Sequence, residues 1–465
     1  MSAPLTEKKE GNLAAPTRHP VEWRGPEFYD EASFFKETER VFDICHGCRR
    51  CISLCNAFPT LFDLVDESKT MEVDGVAKAD YWKVVDQCYL CDVCYMTKCP
   101  YVPPHAWNVD FPHLMLRAKA VNFKAGKVRR ADRILSSTDA LGKLAGIPVV
   151  VELANGAARN GAARKLMQRV LHVHEDAALP AYHAEKFRDT AQPGVAYPAR
   201  DGATTPGKVA IFSTCFINYN DPGVGRDLMA ILDHNEIPFV FAEKEACCGM
   251  PKLELGDLES VAKLKDINIP QLARLAREGY AILTPIPSCT LMFKQELPLM
   301  FPDDPDVKAV QAAMFDPFEY LVARQKDGLL KTDFTDPLGK VSYHIPCHLR
   351  VQNVGQKTRE ALQLVPGIEL STIERCSGHA GTWGVKEEYF ETAMKIGKPV
   401  FKQMSATGPD YISSDCSLAG MHIEQGIGRM GDGAGTARPA WKAHPLTLFR
   451  IAYGLPAGPA DGKHE

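Results

Sequence analysis

Two short runs of cysteine dominate the chemistry open to this chain. The first is Cys45-His-Gly-Cys48-Arg-Arg-Cys51-Ile-Ser-Leu-Cys55, and the second is Cys88-Tyr-Leu-Cys91-Asp-Val-Cys94-Tyr-Met-Thr-Lys-Cys99-Pro100. Three thiolates spaced three residues apart can wrap three corners of one iron–sulfur cubane, because so short a loop folds around it. The fourth corner is usually taken by the outlying cysteine of the other run. The spacing therefore predicts two 4Fe–4S clusters. Cys45, Cys48, Cys51 and Cys99 would hold one; Cys88, Cys91, Cys94 and Cys55 would hold the other. Structural zinc is the competing chemistry, but tetrahedral zinc sites normally use two separated ligand pairs, not triplets plus one.

The second half of the chain carries seven more cysteines in two similar series. One is Cys215, Cys247, Cys248 and Cys289; the other is Cys347, Cys376 and Cys416. The steps are 32 and 41 or 42 residues in the first copy, against 29 and 40 in the second. Each copy reads strand, helix, strand, cysteine loop, long helix, strand. In copy one the strands are expected at 208–215, 237–241 and 280–284, with helices near 224–235 and 258–278. In copy two the strands fall near 341–347, 368 and 410–416, with helices near 358–364 and 386–404. Such alternation predicts parallel, doubly wound packing, in which ligands bind beyond the carboxyl ends of the strands. Cysteines placed just past strand ends would converge there.

At 465 residues the chain is long enough for two or three domains. A net charge of −4 without a long basic run argues against nucleic-acid binding. Fifteen cysteines without an apolar leader point to metal or redox chemistry in a reducing compartment, not to disulfides. The most apolar window, 145–154, is about half the roughly 20 residues a membrane span requires. The expected division is a disordered arm over 1–26, a two-cluster domain over 27–122, and a helical connector and linker over 123–205. Two α/β modules over 206–335 and 336–455 follow, with a tail over 456–465. The glycine-rich run 431–435 lacks a preceding strand and the dinucleotide spacing, so it reads as a loop.

Twin cysteine runs followed by two Cys-Cys-Gly modules resemble the iron–sulfur subunits of anaerobic glycerol-3-phosphate dehydrogenase, glycolate oxidase and heterodisulfide reductase. The stretch Cys99–Met115, with Tyr343-His-Ile-Pro-Cys347-His348 and Gly378-His-Ala-Gly-Thr-Trp-Gly384, is most similar to the glycerol-3-phosphate dehydrogenase group. The resemblance implies an α/β protein overall, opening with a mainly helical ferredoxin domain, since residues 56–87 are too long for a minimal βαββαβ ferredoxin. In the family a complete module supplies a cysteine, then Cys-Cys-Gly, then Cys-x-x-Cys. Copy one keeps four thiols but has Met292 at the last position, so one further iron–sulfur cluster is expected there. Copy two has Ser377 and Ala419 at two positions. It could take another cluster only with help from a group such as His348 or His379. His344, His348 and His379 are candidates for hydrogen bonds to cluster sulfur, and Arg49 and Arg50 for balancing cluster charge.

The function so implied is electron transfer from a partner flavoprotein dehydrogenase of glycerol-3-phosphate, glycolate or lactate type toward quinone or another carrier. The chain would itself be a non-catalytic subunit. It would be cytoplasmic, and peripheral at the inner membrane face only through a partner. Two alternatives stand beside it: a disulfide-reducing enzyme acting at the Cys-Cys-Gly cluster, and an electron donor to a peroxide-reducing di-iron protein.

Overall fold

The structure is a computed structural model and describes residues 16–431 and 441–457. The outer part of the expected arm, most of the glycine-rich run and most of the tail lie outside the described residues. The chain divides into two compact units, Met1–Lys127 and Val128–Glu465.

Helices build the first unit: Glu31–Cys48, Ala57–Asp66, Tyr81–Gln87, Val93–Thr97 and Phe111–Lys124. Asp30 caps the first, accepting from Ser33 N, and Asp110 caps the last, accepting from His113 N. Aromatic rings fill the space between them, with Phe34 stacked on Trp82 at 5.4 Å and Phe58 against Phe111 at 4.7 Å. Part of the stretch expected as a disordered arm belongs to this unit. Val21 and Trp23 are buried, and Tyr95 donates to the Thr17 carbonyl at 2.5 Å. The cause is Arg18, a buried guanidinium paired with Asp92 at 2.5 Å and Asp110 at 2.8 Å. A buried charge so matched holds its own segment in place.

The second unit contains two four-stranded parallel sheets of identical topology. The strands are β1 (Val209–Ile211), β2 (Phe239–Phe241), β3 (Ala281–Leu283) and β4 (Met314–Phe315), then β5 (Lys340–His344), β6 (Glu369–Ile373), β7 (Tyr411–Ser414) and β8 (Trp441–Ala443). The orders are β2-β1-β3-β4 and β6-β5-β7-β8, and every pairing is parallel. Amphipathic helices such as Pro222–His234 and Leu258–Arg277 cover the sheets, burying Leu228, Ile231 and Leu272. The predicted doubly wound repeat is therefore present, with one strand more per copy than the sequence suggests.

Helices also precede the first sheet: Arg130–Leu135, Thr138–Ala145, Pro148–Arg159 and Gly161–Leu171. They leave Leu144, Val149, Leu153, Leu166 and Val170 exposed. Among the described residues no single helix is long and apolar enough to cross a membrane; the bent pair Thr138–Ala145 and Pro148–Arg159 passes that test only when taken together.

Candidate functional site

In the first unit the helix Glu31–Cys48 stops at Arg49, which turns left-handed at φ 53° and returns its N–H to the Cys45 carbonyl at 2.8 Å. Two tight turns follow, Ile52 N to Arg49 O and Leu54 N to Cys51 O. They curl Cys45, Cys48 and Cys51 around one side. In the second run Leu90 and Asp92 both have positive φ, at 54° and 59°, and bracket Cys91. Left-handed non-glycine residues are costly and persist where surroundings enforce them. Here Arg18 anchors Asp92.

The eight thiols group across the two runs. Burial raises the Cys45 thiol well above its ordinary range, and the neighbours adding to that push are Cys99, Cys51 and Cys48. Burial does the same to Cys94, helped by Cys91, Cys51, Cys88 and Cys55. The Cys51 thiol is pushed up to about 12 by burial and by Cys99 and Cys48, against the opposing charges of Lys98 and Arg50. Buried thiols this close disfavour one another's ionisation, whereas bound iron would stabilise the thiolates. In donor type and number the eight residues fit such a group. Arg49 is otherwise engaged, paired with Asp66 at 2.8 Å and lying over the Phe62 ring.

In the first α/β module every cysteine lies beyond a strand end. Cys215 follows β1 and opens the helix Cys215–Tyr219; Thr214 caps that helix at φ 67° and accepts from Ile217 N. A β-branched residue in that conformation is strained, which aims Cys215 inward at a fixed angle. Cys247 and Cys248 follow β2. The buried side chain of Asn268 holds their loop, accepting from Ala246 N at 2.9 Å and donating to the Cys247 carbonyl at 3.1 Å. Gly249 sits at φ 103°, a conformation open to glycine.

Cys289 follows β3 in the helix Pro287–Leu291, which continues as a π-helical turn, Met292–Glu296. Pro298 cannot donate to the Lys294 carbonyl four residues back, and Gln311 Nε2 supplies that bond instead at 2.8 Å. Met292, standing where a fifth cysteine would be, is fully buried beside Gly249.

The four thiols form one connected group. Cys215 Sγ is 4.0 Å from Cys247 Sγ, Cys247 meets Cys248, and Cys248 meets Cys289. Cys247 is the focus: Cys215 and Cys248, with the Thr138 hydroxyl and the Gly249 N–H, favour its thiolate. The Cys247 thiol and burial hold Cys215 up in turn. Nearby, burial pushes Glu245 up to about 7 while its carboxyl accepts from Ser213 N at 2.8 Å.

The second module repeats the arrangement with fewer thiols. Burial pushes Cys347 up, and Cys376 and Cys416 add to the effect, so the three lie together. Cys416 is raised to about 11 by burial, against the N–H groups of Ala419 and Leu418 at the start of the helix Ser417–Arg429. Ser377 and Ala419, at the two missing cysteine positions, are buried. Glu254, reaching over from the first module, lies near Cys416 and the Gly381 loop.

The histidines divide in role. His344 is committed at both nitrogens, to the Arg375 carbonyl at 2.9 Å and the Ser414 hydroxyl at 3.1 Å. His348 bonds to Ser288. His379 faces His422 with ring centroids 6.0 Å apart. Among the described residues no three histidine, cysteine or acidic side chains converge on one point as ligands of a single ion would.

Sequence reasoning missed the segment Ser136–Asp139. Asp139 accepts from Cys247 N at 2.6 Å, and Lys252 Nζ binds the hydroxyls of Ser136 and Ser137 at 3.1 and 3.0 Å. A run of four helix-capping residues, Ser136 to Asp139, at the start of a helix was the only local signal, and it bears no spacing to the cysteines.

Two doubly wound modules, each gathering thiols at its strand ends, define a tandem cysteine-rich α/β protein. The cysteine-rich domain family, CCG, matches this chain twice, over residues 209–294 and 341–424. One subunit of the anaerobic glycerol-3-phosphate dehydrogenase of Escherichia coli is 27% identical over 348 residues, 74% of this chain and 82% of that protein. Lactate utilization protein A of Bacillus cytotoxicus is 30% identical over 48% of this chain and 93% of its own length. One subunit of the fumarate reductase (CoM/CoB) of Methanothermobacter marburgensis is 29% identical over 50% of this chain and 45% of its own. The chain belongs to this cysteine-rich CCG family.

Proposed function

We propose that this chain is the iron–sulfur electron-transfer subunit of an oxidoreductase complex. It would take single electrons from a separate flavoprotein dehydrogenase acting on a small hydroxy compound of the glycerol-3-phosphate, glycolate or lactate type. It would pass them toward quinone or another carrier. The names of the relatives support the setting, since two are subunits of a dehydrogenase or reductase and a third serves lactate utilization. The observation that supports the reading is the proximity of thiols from both runs, with Cys99 near Cys45 and both Cys51 and Cys55 near Cys94.

In this reading residues 27–122 form the two-cluster domain. Cys45, Cys48, Cys51 and Cys99 are one ligand set, and Cys88, Cys91, Cys94 and Cys55 the other. Cys215, Cys247, Cys248 and Cys289 hold a further cluster, and Cys347, Cys376 and Cys416 form a poorer site. An iron–sulfur cluster supplies one-electron chemistry, at a potential set by its ligands, hydrogen bonds and burial. The protein's part is to keep the thiolates grouped, exclude water and orient donors toward sulfur. No nicotinamide or flavin motif accompanies the thiols, so the two-electron chemistry belongs to the partner. The buried Met292 in place of a fifth thiol favours electron transfer over disulfide reduction at the first module.

Anaerobic purification tests this. The full chain should carry about eight irons in the first unit and several more in the first module, and accept electrons from a reduced flavoprotein or low-potential dye. Colourless protein, or zinc in place of iron, would refute the proposal.

A further inference from the structure

One donor near the first module's thiols is unaccounted for. The helix Thr138–Ala145 lies outside both segments matched by the family, yet it is fastened to the cysteine loop. Asp139 takes the Cys247 N–H at 2.6 Å, and Lys252 grips Ser136 and Ser137 just before the helix begins. Gly142 lets the same helix lie directly on Tyr219, in the helix that Cys215 opens; a Cβ there would come within 2.2 Å of the ring. The helix start is thereby fixed against both Cys215 and the Cys247 loop. The Thr138 hydroxyl oxygen is buried and has no hydrogen-bond partner. Its neighbours are the sulfurs of Cys215 and Cys247, whose charged forms it favours.

A buried hydroxyl without a partner costs roughly 1–3 kcal/mol, so its retention beside a thiol pair calls for an acceptor. A thiolate is a better acceptor than a thiol. We propose that Thr138 is a positioning residue that donates its hydroxyl proton to the Cys215–Cys247 thiolate pair and thereby raises the reduction potential of the centre held by the first module. The inference rests on reading that module as an iron–sulfur site. A donor to ligand sulfur stabilises the more negative, reduced state, so removing it makes the centre harder to reduce.

The test uses the full chain, purified without oxygen, as wild type, Thr138→Val and Thr138→Ser. The signal of interest is the paramagnetic resonance signal lost in Cys289→Ser. Its midpoint is read by redox titration, with iron per chain measured alongside. Valine should shift that midpoint to a more negative value and leave the other signals unmoved, while serine should keep the wild-type midpoint. An unmoved midpoint in Thr138→Val overturns the proposal.

Should the valine variant fail to load, the exchangeable-proton coupling to this centre in wild type and Thr138→Ser decides. Coupling that disappears in deuterium oxide supports the bond, and its absence from both overturns it. If wild type gives no signal dependent on Cys289, the iron–sulfur reading of the module fails, which is a separate result.

Discussion

Ser288 Oγ lies 2.8 Å from His348 Nδ1, and these two residues stand next to Cys289 and Cys347, one from each module. The bond ties the helix Pro287–Leu291 to the helix Cys347–Arg350, and Gln352 adds a second strut to the Pro287 carbonyl at 3.3 Å. The thiol groups of the two modules are thus joined through side chains adjacent to their cysteines. Ser288→Ala removes one bond to a buried ring and should lower stability by about 1–2 kcal/mol in denaturant unfolding. A midpoint equal to wild type would show that the link carries no energy.

The crossed ligation proposed for the eight N-terminal thiols makes a sharp mutational prediction. Cys55 lies near Cys94, as does Cys51 of the same run, and the proposed ligation assigns Cys55 to the second run's centre. Cys55→Ser should therefore disturb the centre of Cys88, Cys91 and Cys94 and spare that of Cys45, Cys48 and Cys51. Cys99→Ser should do the reverse. Each variant should lose about four irons or show one altered resonance signal. Matching losses within each run, instead of across runs, would contradict the assignment.

The two Cys-Cys-Gly-type loops use their glycines for different reasons. Gly249 and Gly378 both have positive φ, but a Cβ on Gly249 meets nothing closer than 3.5 Å, whereas on Gly378 it would lie 2.1 Å from the Ala393 carbonyl. Gly249→Ala should cost about 1–2 kcal/mol from backbone conformation alone. Gly378→Ala must also displace a helix carbonyl and should cost at least twice as much or prevent folding. Thermal unfolding of the two variants, side by side, checks the order.

Much of the second unit was legible because its periodicities are long and repeated. Cysteine steps near 30 and 40 residues, set among strand–helix alternations, marked two parallel modules before any geometry. Three features escaped for physical reasons. The strands β4 and β8 lie beyond the last cysteine of each copy, outside the repeat that marks the others, and their sheet partners define them. The run 208–215 looked extended throughout, but the ladder ends at Ile211 and Thr214 turns left-handed. Arg18 finds Asp92 and Asp110 at separations of 74 and 92 residues, a pairing no local pattern reveals.

His444 gives the fold a pH dependence whose sign can be worked out. Its Nε2–H donates to the Asp415 carbonyl at 2.9 Å, and its Nδ1 accepts from Leu446 N at 3.2 Å as the cap of the helix Pro445–Ala452. Burial lowers its pKa to about 4, because a proton on Nδ1 would break the cap and charge a dry site. The unfolded chain takes that proton near pH 6.5. The contribution is thus full above 6.5 and is lost as pH falls toward 4. His444→Asn can keep the cap but cannot take the proton. The variant should be less stable than wild type at pH 7.5, and the gap should narrow by about 2 kcal/mol at pH 5. A gap independent of pH would mean that the folded histidine titrates normally.

Occupancy of the two modules should differ because their donor sets differ. The first offers Cys215, Cys247, Cys248 and Cys289 as one connected group, with Met292 buried beside Gly249. The second offers Cys347, Cys376 and Cys416, with a serine hydroxyl and a methyl group where two further thiols would stand. Three thiolates leave a multi-iron core short of a ligand, and a serine oxygen is a harder donor than sulfur. Cys289→Ser should therefore lower the iron content of anaerobically prepared protein, whereas Cys416→Ser should change it far less. Equal losses would mean that the second module finds another donor, for which Glu254, near Cys416, is one candidate. No loss in Cys289→Ser would make the first module's thiols structural, and the chain's electron-transfer role would then rest on its first unit alone.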